Sequence, residues 1–339
     1  MKSCIHIILS LYLCAACSGE DGRSALVQDP DTSLTVSEVK TTDITKAGIT
    51  ADSFTNGESV GLFIYGGNGI YDANRDYYAP GVDLESANVK YTQSTDGWYS
   101  RNPIMLHNGT GHVYAYYPFS QYNHANDGTS IPLTVQPFQG SGQSDGSMDC
   151  PQQTDYMYSN TVPASKLDYS IRLTMNHVLA MVTFRFVPSE DKPYPGDGMI
   201  TQIRLRNAPD AQVIYSGDAT FNIENGNVSN MKRQSAYVEV KPEETDLIGT
   251  ADATLLPRML VFPSIPFNDG EVVVDVTMDG TEYSVPINGL VKGYAAGYNY
   301  LYKLTVKGEE LELDKVIING WQDIEAGNGE ISRPNPAHW

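Results

Sequence analysis

The chain has 339 residues, 41% of them hydrophobic, enough to bury a core of two ordinary domains. It carries 22 Lys and Arg against 41 Asp and Glu, a formal net charge of −19. That field repels nucleic acid and anionic membrane surface, no basic stripe interrupts it, and nucleic acid is not expected as a partner.

The first 16 residues have the three parts of a secretory signal: Lys2, the apolar run Ile5 to Leu13, and the small pair Ala15-Ala16. The run is too short for a resident membrane helix, which needs about 20 residues. Cys17 follows directly, as a bacterial lipoprotein signal requires, so it is the expected lipid attachment site and new N-terminus. Cys4 and Cys14 leave with the signal, and only Cys150 remains in the body, so no intramolecular disulfide is expected. Residues 17–46 read as an exposed polar leader. Within it only Ser33 to Val39 alternates like a short strand, and structure proper is expected to begin near Lys46.

Beyond that point strand signals dominate. Val60 to Tyr65 is an apolar run closed by Gly66-Gly67, and His112 to Tyr117 stops at Pro118. Met181 to Val187 alternates, with Val182, Phe184 and Phe186 on one face and Thr183 and Arg185 on the other. Val272, Val274, Val276 and Met278 oppose Asp275 and Thr277, and Asp279-Gly280 supplies a two-residue hairpin turn. Tyr300 to Val306 alternates again, then Leu311, Leu313, Val316 and Ile318 lead to Trp321. No window of a dozen residues holds a 3.6-residue apolar period free of Gly or Pro, and 30 Gly and 19 Pro punctuate the chain. Period-2 faces bury one side against a second sheet, so the expected fold class is an all-β sandwich. The loop-rich stretch 139–166 suggests two of them, over 47–167 and 168–325, followed by a polar tail over 326–339.

Catalytic and metal motifs are absent. His107, His112, His124, His177 and His338 have no zinc-ligand spacing, and His177 is expected to be structural. Asp72-Ala73-Asn74-Arg75-Asp76 begins like a calcium loop, but Tyr77 replaces the required glycine and Asp83 stands at the twelfth position. No nucleophile elbow or phosphate loop occurs. Glu243-Glu244 and Glu309-Glu310 read as solvating charges. Neither a cofactor nor an enzymatic activity is expected.

An ordered set of short stretches resembles the fimbrillin family, the Mfa-like lipoproteins and type V pilus subunits of Bacteroidetes. The set runs Phe54-Thr55-Asn56-Gly57-Glu58-Ser59-Val60-Gly61-Leu62-Phe63, Tyr116-Tyr117-Pro118, Gln153-Thr154-Asp155-Tyr156-Met157-Tyr158, Leu173-Thr174-Met175-Asn176-His177-Val178-Leu179-Ala180, Gly297 to Val306, and Ile317-Ile318-Asn319-Gly320-Trp321. The resemblance implies two tandem transthyretin-like β-sandwich domains and export as a lipidated precursor. It also implies trimming by a trypsin-like protease, for which Lys46-Ala47 is the candidate site, although Arg is the more usual residue there. Trimming removes the N-terminal strand, and a strand from the C-terminal region of another subunit fills the groove left behind.

The resulting expectation is a structural subunit of a cell-surface fimbria with a role in adhesion. Its partners are then other fimbrial subunits, the outer membrane through lipid on Cys17, and a host or microbial ligand. The alternative is a surface lipoprotein that does not polymerise, either a pilus anchor or tip or a glycan binder using aromatics such as Trp98-Tyr99 or Tyr77-Tyr78.

Overall fold

Twenty strands of three residues or more are found among the described residues, and many of them follow from the alternation just described. The structure is a computed structural model, and it describes residues 32–41, 44–45, 48–49, 54–66, 71–72, 77–78, 87–106, 109–123, 128–141, 153–242, 245–249 and 256–321. In the first half lie β1 (Thr35–Thr41), β2 (Ser59–Gly66), β3 (Val89–Ser94), β4 (Gly97–Tyr99), β5 (Gly111–Tyr117), β6 (Ile131–Val135), β7 (Phe138–Ser141), β8 (Met157–Ser159) and β9 (Ser170–His177). In the second lie β10 (Ala180–Pro188), β11 (Met199–Asn207), β12 (Ser216–Phe221), β13 (Val228–Ser235), β14 (Tyr237–Lys241), β15 (Arg258–Val261), β16 (Val272–Met278), β17 (Thr281–Pro286), β18 (Tyr298–Lys307) and β19 (Glu310–Gly320). Val162–Ala164 pairs alongside β5 as a short extra strand. The helical content of the described residues is a single 3-10 turn, Gln121–Asn123.

Four sheets account for these strands. An eight-stranded sheet has the order β1-β9-β8-β5-β2-β3-β4, with Val162–Ala164 beside β5. A three-stranded ribbon runs β6-β12-β13, a six-stranded sheet is built on β7-β14-β11-β16-β17, and a four-stranded sheet runs β15-β10-β18-β19. Two apolar cores result. One gathers Val36, Val39, Val60, Leu62, Ile64, Val113, Ala115, Ile171, Leu173 and Met175. The other takes Phe63, Ala87, Tyr116, Ile131, Leu133 and Val135 from the first half and is otherwise built from Val178 onward, largely on the six- and four-stranded sheets.

The halves interlock more than the loop-rich stretch suggests. β6 pairs with β12 and β7 pairs with β14, so residues 131–141 join the sheets of the second half. The buried Gln139 strengthens that crossing by imitating a backbone: its amide donates to the Leu260 carbonyl at 2.7 Å and accepts from the Leu260 N–H at 2.8 Å. Both faces of the first sheet are apolar for the same reason. Along β2 and β5, Val60, Leu62, Ile64, Val113 and Ala115 face the first core, while Phe63, Tyr65, Tyr114 and Tyr116 face the second. The β6-β12-β13 ribbon lies over those tyrosines, with Tyr156 edge-on to Phe221 at 6.4 Å.

Several strand faces are as the alternation predicts, and two differ. Asp279-Gly280 does form the hairpin turn, with φ of 46° and 76° and Met278 opposite Thr281. Thr183 is buried with its apolar neighbours rather than facing solvent, because β10 lies between β15 and β18, and its hydroxyl donates to Asn299 Oδ1 at 2.8 Å. Asp275 is buried too, held by the Arg206 guanidinium at 2.5 and 2.9 Å and by the Ser284 hydroxyl at 2.7 Å. Arg204 and Glu239 make a second such pair on the same sheet at 2.7 Å.

Candidate functional site

The segment just upstream of Lys46 is where the structure departs most from the sequence reading. Residues 32–41, expected in an exposed leader, are part of the first core: Leu34 and Val36 are each 2% exposed, and Val39 and Thr41 are buried. The driving force is apolar burial, which is worth about 1.5–3 kcal/mol for each aliphatic side chain.

Strand β1 is the outermost strand of its sheet and runs parallel to β9. Its register pairs Val36 with Ile171 and then Glu38 with Arg172, leaving Ser37 as the extra residue of a bulge. The Ser37 hydroxyl donates to the Ile171 carbonyl at 2.8 Å. That bulge explains why the buried positions step from Leu34 and Val36 to Val39 and Thr41, a pattern that strict alternation conceals. Ahead of β1, Thr32 and Ser33 pair antiparallel with Leu106 and Met105. The Leu34 N–H donates to the Ile104 carbonyl at 2.8 Å, and the Thr35 N–H donates to the Tyr169 carbonyl at 2.8 Å.

Tyr91 locks this segment from below. Its hydroxyl donates to the Leu34 carbonyl at 2.9 Å and accepts from the Ile104 N–H at 3.2 Å. Burial pushes the phenol pKa up to about 12, so the hydroxyl keeps its proton and its donor role throughout the physiological range. Surface charges add little here: Glu38 meets Lys40 at 2.9 Å, but both side chains are largely exposed.

The far end of β1 is closed by the second half of the molecule. Thr41 pairs with Met175, two residues before His177. The His177 ring stacks on Trp321 with centroids 3.8 Å apart and planes at 11°, and His177 Nδ1 meets Asp155 Oδ2 at 2.7 Å. His177 is thus buried between the halves.

Downstream, Ile44 pairs with Ile49 and Thr45 with Gly48. Lys46 and Ala47, which separate these in sequence, lie outside the described residues, as do Cys17, Cys150 and residues 73–76 of the calcium-like stretch. Trp98 is edge-on to Phe54 at 5.5 Å, and Phe54 in turn is edge-on to Tyr117 at 5.2 Å, whose hydroxyl donates to Glu58 at 2.6 Å. Tyr99 remains half exposed on the neighbouring position of β4. Among the described residues no group of three or more His, Cys, Asp or Glu side chains is placed to hold a metal ion.

An all-β protein whose first core is completed by an edge strand from its N-terminal segment defines a class: sandwich proteins closed by a terminal strand. The family follows from comparison with known proteins. The fimbrillin-like family model matches residues 45–321, and the chain belongs to that family. No curated protein matches it. Among solved structures, it is similar to a candidate cell adhesion protein from Bacteroides ovatus (14% identity, 87% of this chain and 99% of that one, TM-score 0.64). A candidate cell adhesion protein from Bacteroides uniformis gives 17% identity, 87% and 99% coverage and a TM-score of 0.57. A fimbrial protein from Bacteroides vulgatus gives 13% identity, 85% and 99% coverage and a TM-score of 0.51. At these identities the likeness is one of fold.

Proposed function

We propose that this protein is a non-enzymatic structural subunit of a surface fimbria, exported as a lipoprotein on Cys17 and activated by cleavage between Lys46 and Ala47. Cleavage frees the segment that carries β1. The first core then lacks Leu34, Val36 and Val39, and one edge of β9 lacks its backbone partners. Losing three buried aliphatic side chains costs roughly 5–9 kcal/mol, comparable with the whole stability of an ordinary domain, so the groove is a strong template for a replacement strand. A strand from another subunit, donated from the region after Trp321, supplies it by strand addition. Such a head-to-tail contact does not close on itself and grows a filament.

The observation that carries this reading is the burial of Leu34, Val36 and Val39 upstream of a basic residue. Membership of the fimbrillin-like family supports it. We further read the two cores as two transthyretin-like sandwich domains, divided near 167–168, with residues 131–141 lent by the first to the sheets of the second.

N-terminal sequencing of the protein taken from cells tests the proposal. Ala47 at the N-terminus is expected. A blocked, acylated Cys17 on all of the surface protein would instead make it a membrane-held anchor, with β1 kept in place.

A further inference from the structure

Two ends of the β1 site differ in a way that fixes how a replacement strand must arrive. At the Thr41 end the site runs into the protein's own second half, where His177 is stacked under Trp321 at 3.8 Å. At the Thr35 end, large apolar side chains are exposed among the described residues. Leu167 is 98% exposed, Tyr169 is 48% exposed and Met105 is 37% exposed. Met105 and Tyr169 are tied to the start of β1 by backbone contacts, and Leu167 lies two residues before Tyr169. Ser33 pairs with Met105, the Thr35 N–H bonds to the Tyr169 carbonyl, and Ser170 pairs with Thr35.

The backbone at Leu167 is fixed by a turn closed by the Ser165 N–H to the Asp168 carbonyl at 2.9 Å and the Asp168 N–H to the Ser165 carbonyl at 3.0 Å. A leucine presented to water on a fixed turn, near a half-exposed tyrosine, is apolar surface that an interface would cover.

Resting on the proposed strand replacement, we infer that the donated strand enters parallel to β9, in the direction of the β1 it replaces, and that the body of the donor, a second copy of this chain, seats on Met105, Leu167 and Tyr169. The argument is one of connectivity. A strand donated from beyond Trp321 has its own folded body on its N-terminal side. Inserted parallel to β9, its N-terminal end lies at the Thr35 pole, so the body lies there too. Inserted antiparallel, it would bring the body to the Thr41 end, where the acceptor's second half already stands. Residues 322–339 provide the strand and its link, since about 3.3 Å per residue spans the seven positions of β1 with chain to spare.

The experiment uses the full-length precursor, cut by limited trypsin treatment, as wild type and as the double variant Leu167→Ser with Tyr169→Ser. Filament growth is followed by light scattering, and binding of a synthetic peptide spanning residues 32–45 by fluorescence anisotropy. The variant is expected to bind the peptide as wild type does, because its groove is intact, and to grow filaments about tenfold more slowly or worse. Growth of the variant at the wild-type rate would overturn the inference while leaving strand replacement standing. Cut wild-type protein that neither binds the peptide nor grows would remove strand replacement itself, and this inference with it. Orientation is read separately with p-benzoylphenylalanine in place of Leu167 or of Asn176. An inter-subunit adduct from position 167 in filaments is expected, and an adduct from position 176 alone would overturn parallel entry.

Discussion

Single side chains hold the β1 segment and its surroundings in ways that can be measured one at a time. Tyr91 bridges the Leu34 carbonyl and the Ile104 N–H, both buried. In the intact precursor Tyr91→Phe is expected to cost about 1–3 kcal/mol in urea unfolding, since two buried backbone groups lose their partner. In cut protein freed of residues 1–46 the Leu34 carbonyl is gone, and the same substitution is expected to cost less. Equal losses in both forms would show that Tyr91 does not hold the leader. Asp279 offers a pH test in the second half. Its carboxylate accepts the Gly198 and Met199 N–H groups, each at 2.9 Å, and the Gly198 bond foremost holds its pKa below the usual carboxylate range. A carboxyl whose folded pKa is depressed stabilises the fold above its unfolded pKa and loses that contribution as pH falls through the folded value. Wild type should therefore melt above Asp279→Asn at neutral pH, with the two curves converging once pH drops below the carboxylate range. None of these contacts could be read from sequence, because Tyr91, Leu34 and Ile104, like Asp279 and Gly198, meet only through the fold.

At the scale of elements, alternation located most strands but not their partners. β10, β16, β18 and β19 fall where period-2 faces are visible, and β2 and β5 where short runs end at Gly66-Gly67 and Pro118. β1 was visible as a short alternating stretch, yet its polar surroundings argued for exposure, and the bulge at Ser37 broke the pattern that would have marked Val39 and Thr41 as buried. The ribbon of β6, β12 and β13 was hidden for a different reason: its strands come from both sides of the loop-rich stretch. Gly226 tests how tightly that ribbon is seated. It adopts φ of 70°, and a Cβ there would lie 2.2 Å from the Tyr158 ring of the first sheet. Gly226→Ala is expected to destabilise by about 1–3 kcal/mol through overpacking and backbone strain, seen as a lower urea midpoint. If Tyr158→Ala restores most of that loss, the clash is with the ring; no restoration would place the cost in the backbone alone.

For the whole molecule, charge governs association. Every copy carries a formal net charge of −19 before processing, so the subunits of any filament repel one another. Strand replacement contributes short-range apolar burial and backbone hydrogen bonds, which salt leaves almost untouched, whereas repulsion is screened over about 8 Å at physiological ionic strength. Raising salt from about 10 mM to 150 mM is therefore expected to speed filament growth of the cut protein several-fold. Slower growth at higher salt would mean that attractive ion pairs, rather than the groove, drive assembly.

The sequence by itself determined the all-β class, the hairpin at Asp279-Gly280 and the resemblance to fimbrillins, because period-2 faces, turn residues and short local stretches are properties of neighbouring residues. Only the tertiary structure decided that the leader is part of a core. Burial of Leu34, Val36 and Val39 depends on Ile171, Leu173 and Met175, some 135 positions away, and no local pattern encodes which edge an isolated strand will fill. It decided likewise that His177, two residues past the partner of Thr41, stacks on Trp321 of the second half, while Leu167 and Tyr169 stand exposed at the other end of β9, since such meetings depend on residues far apart in the chain.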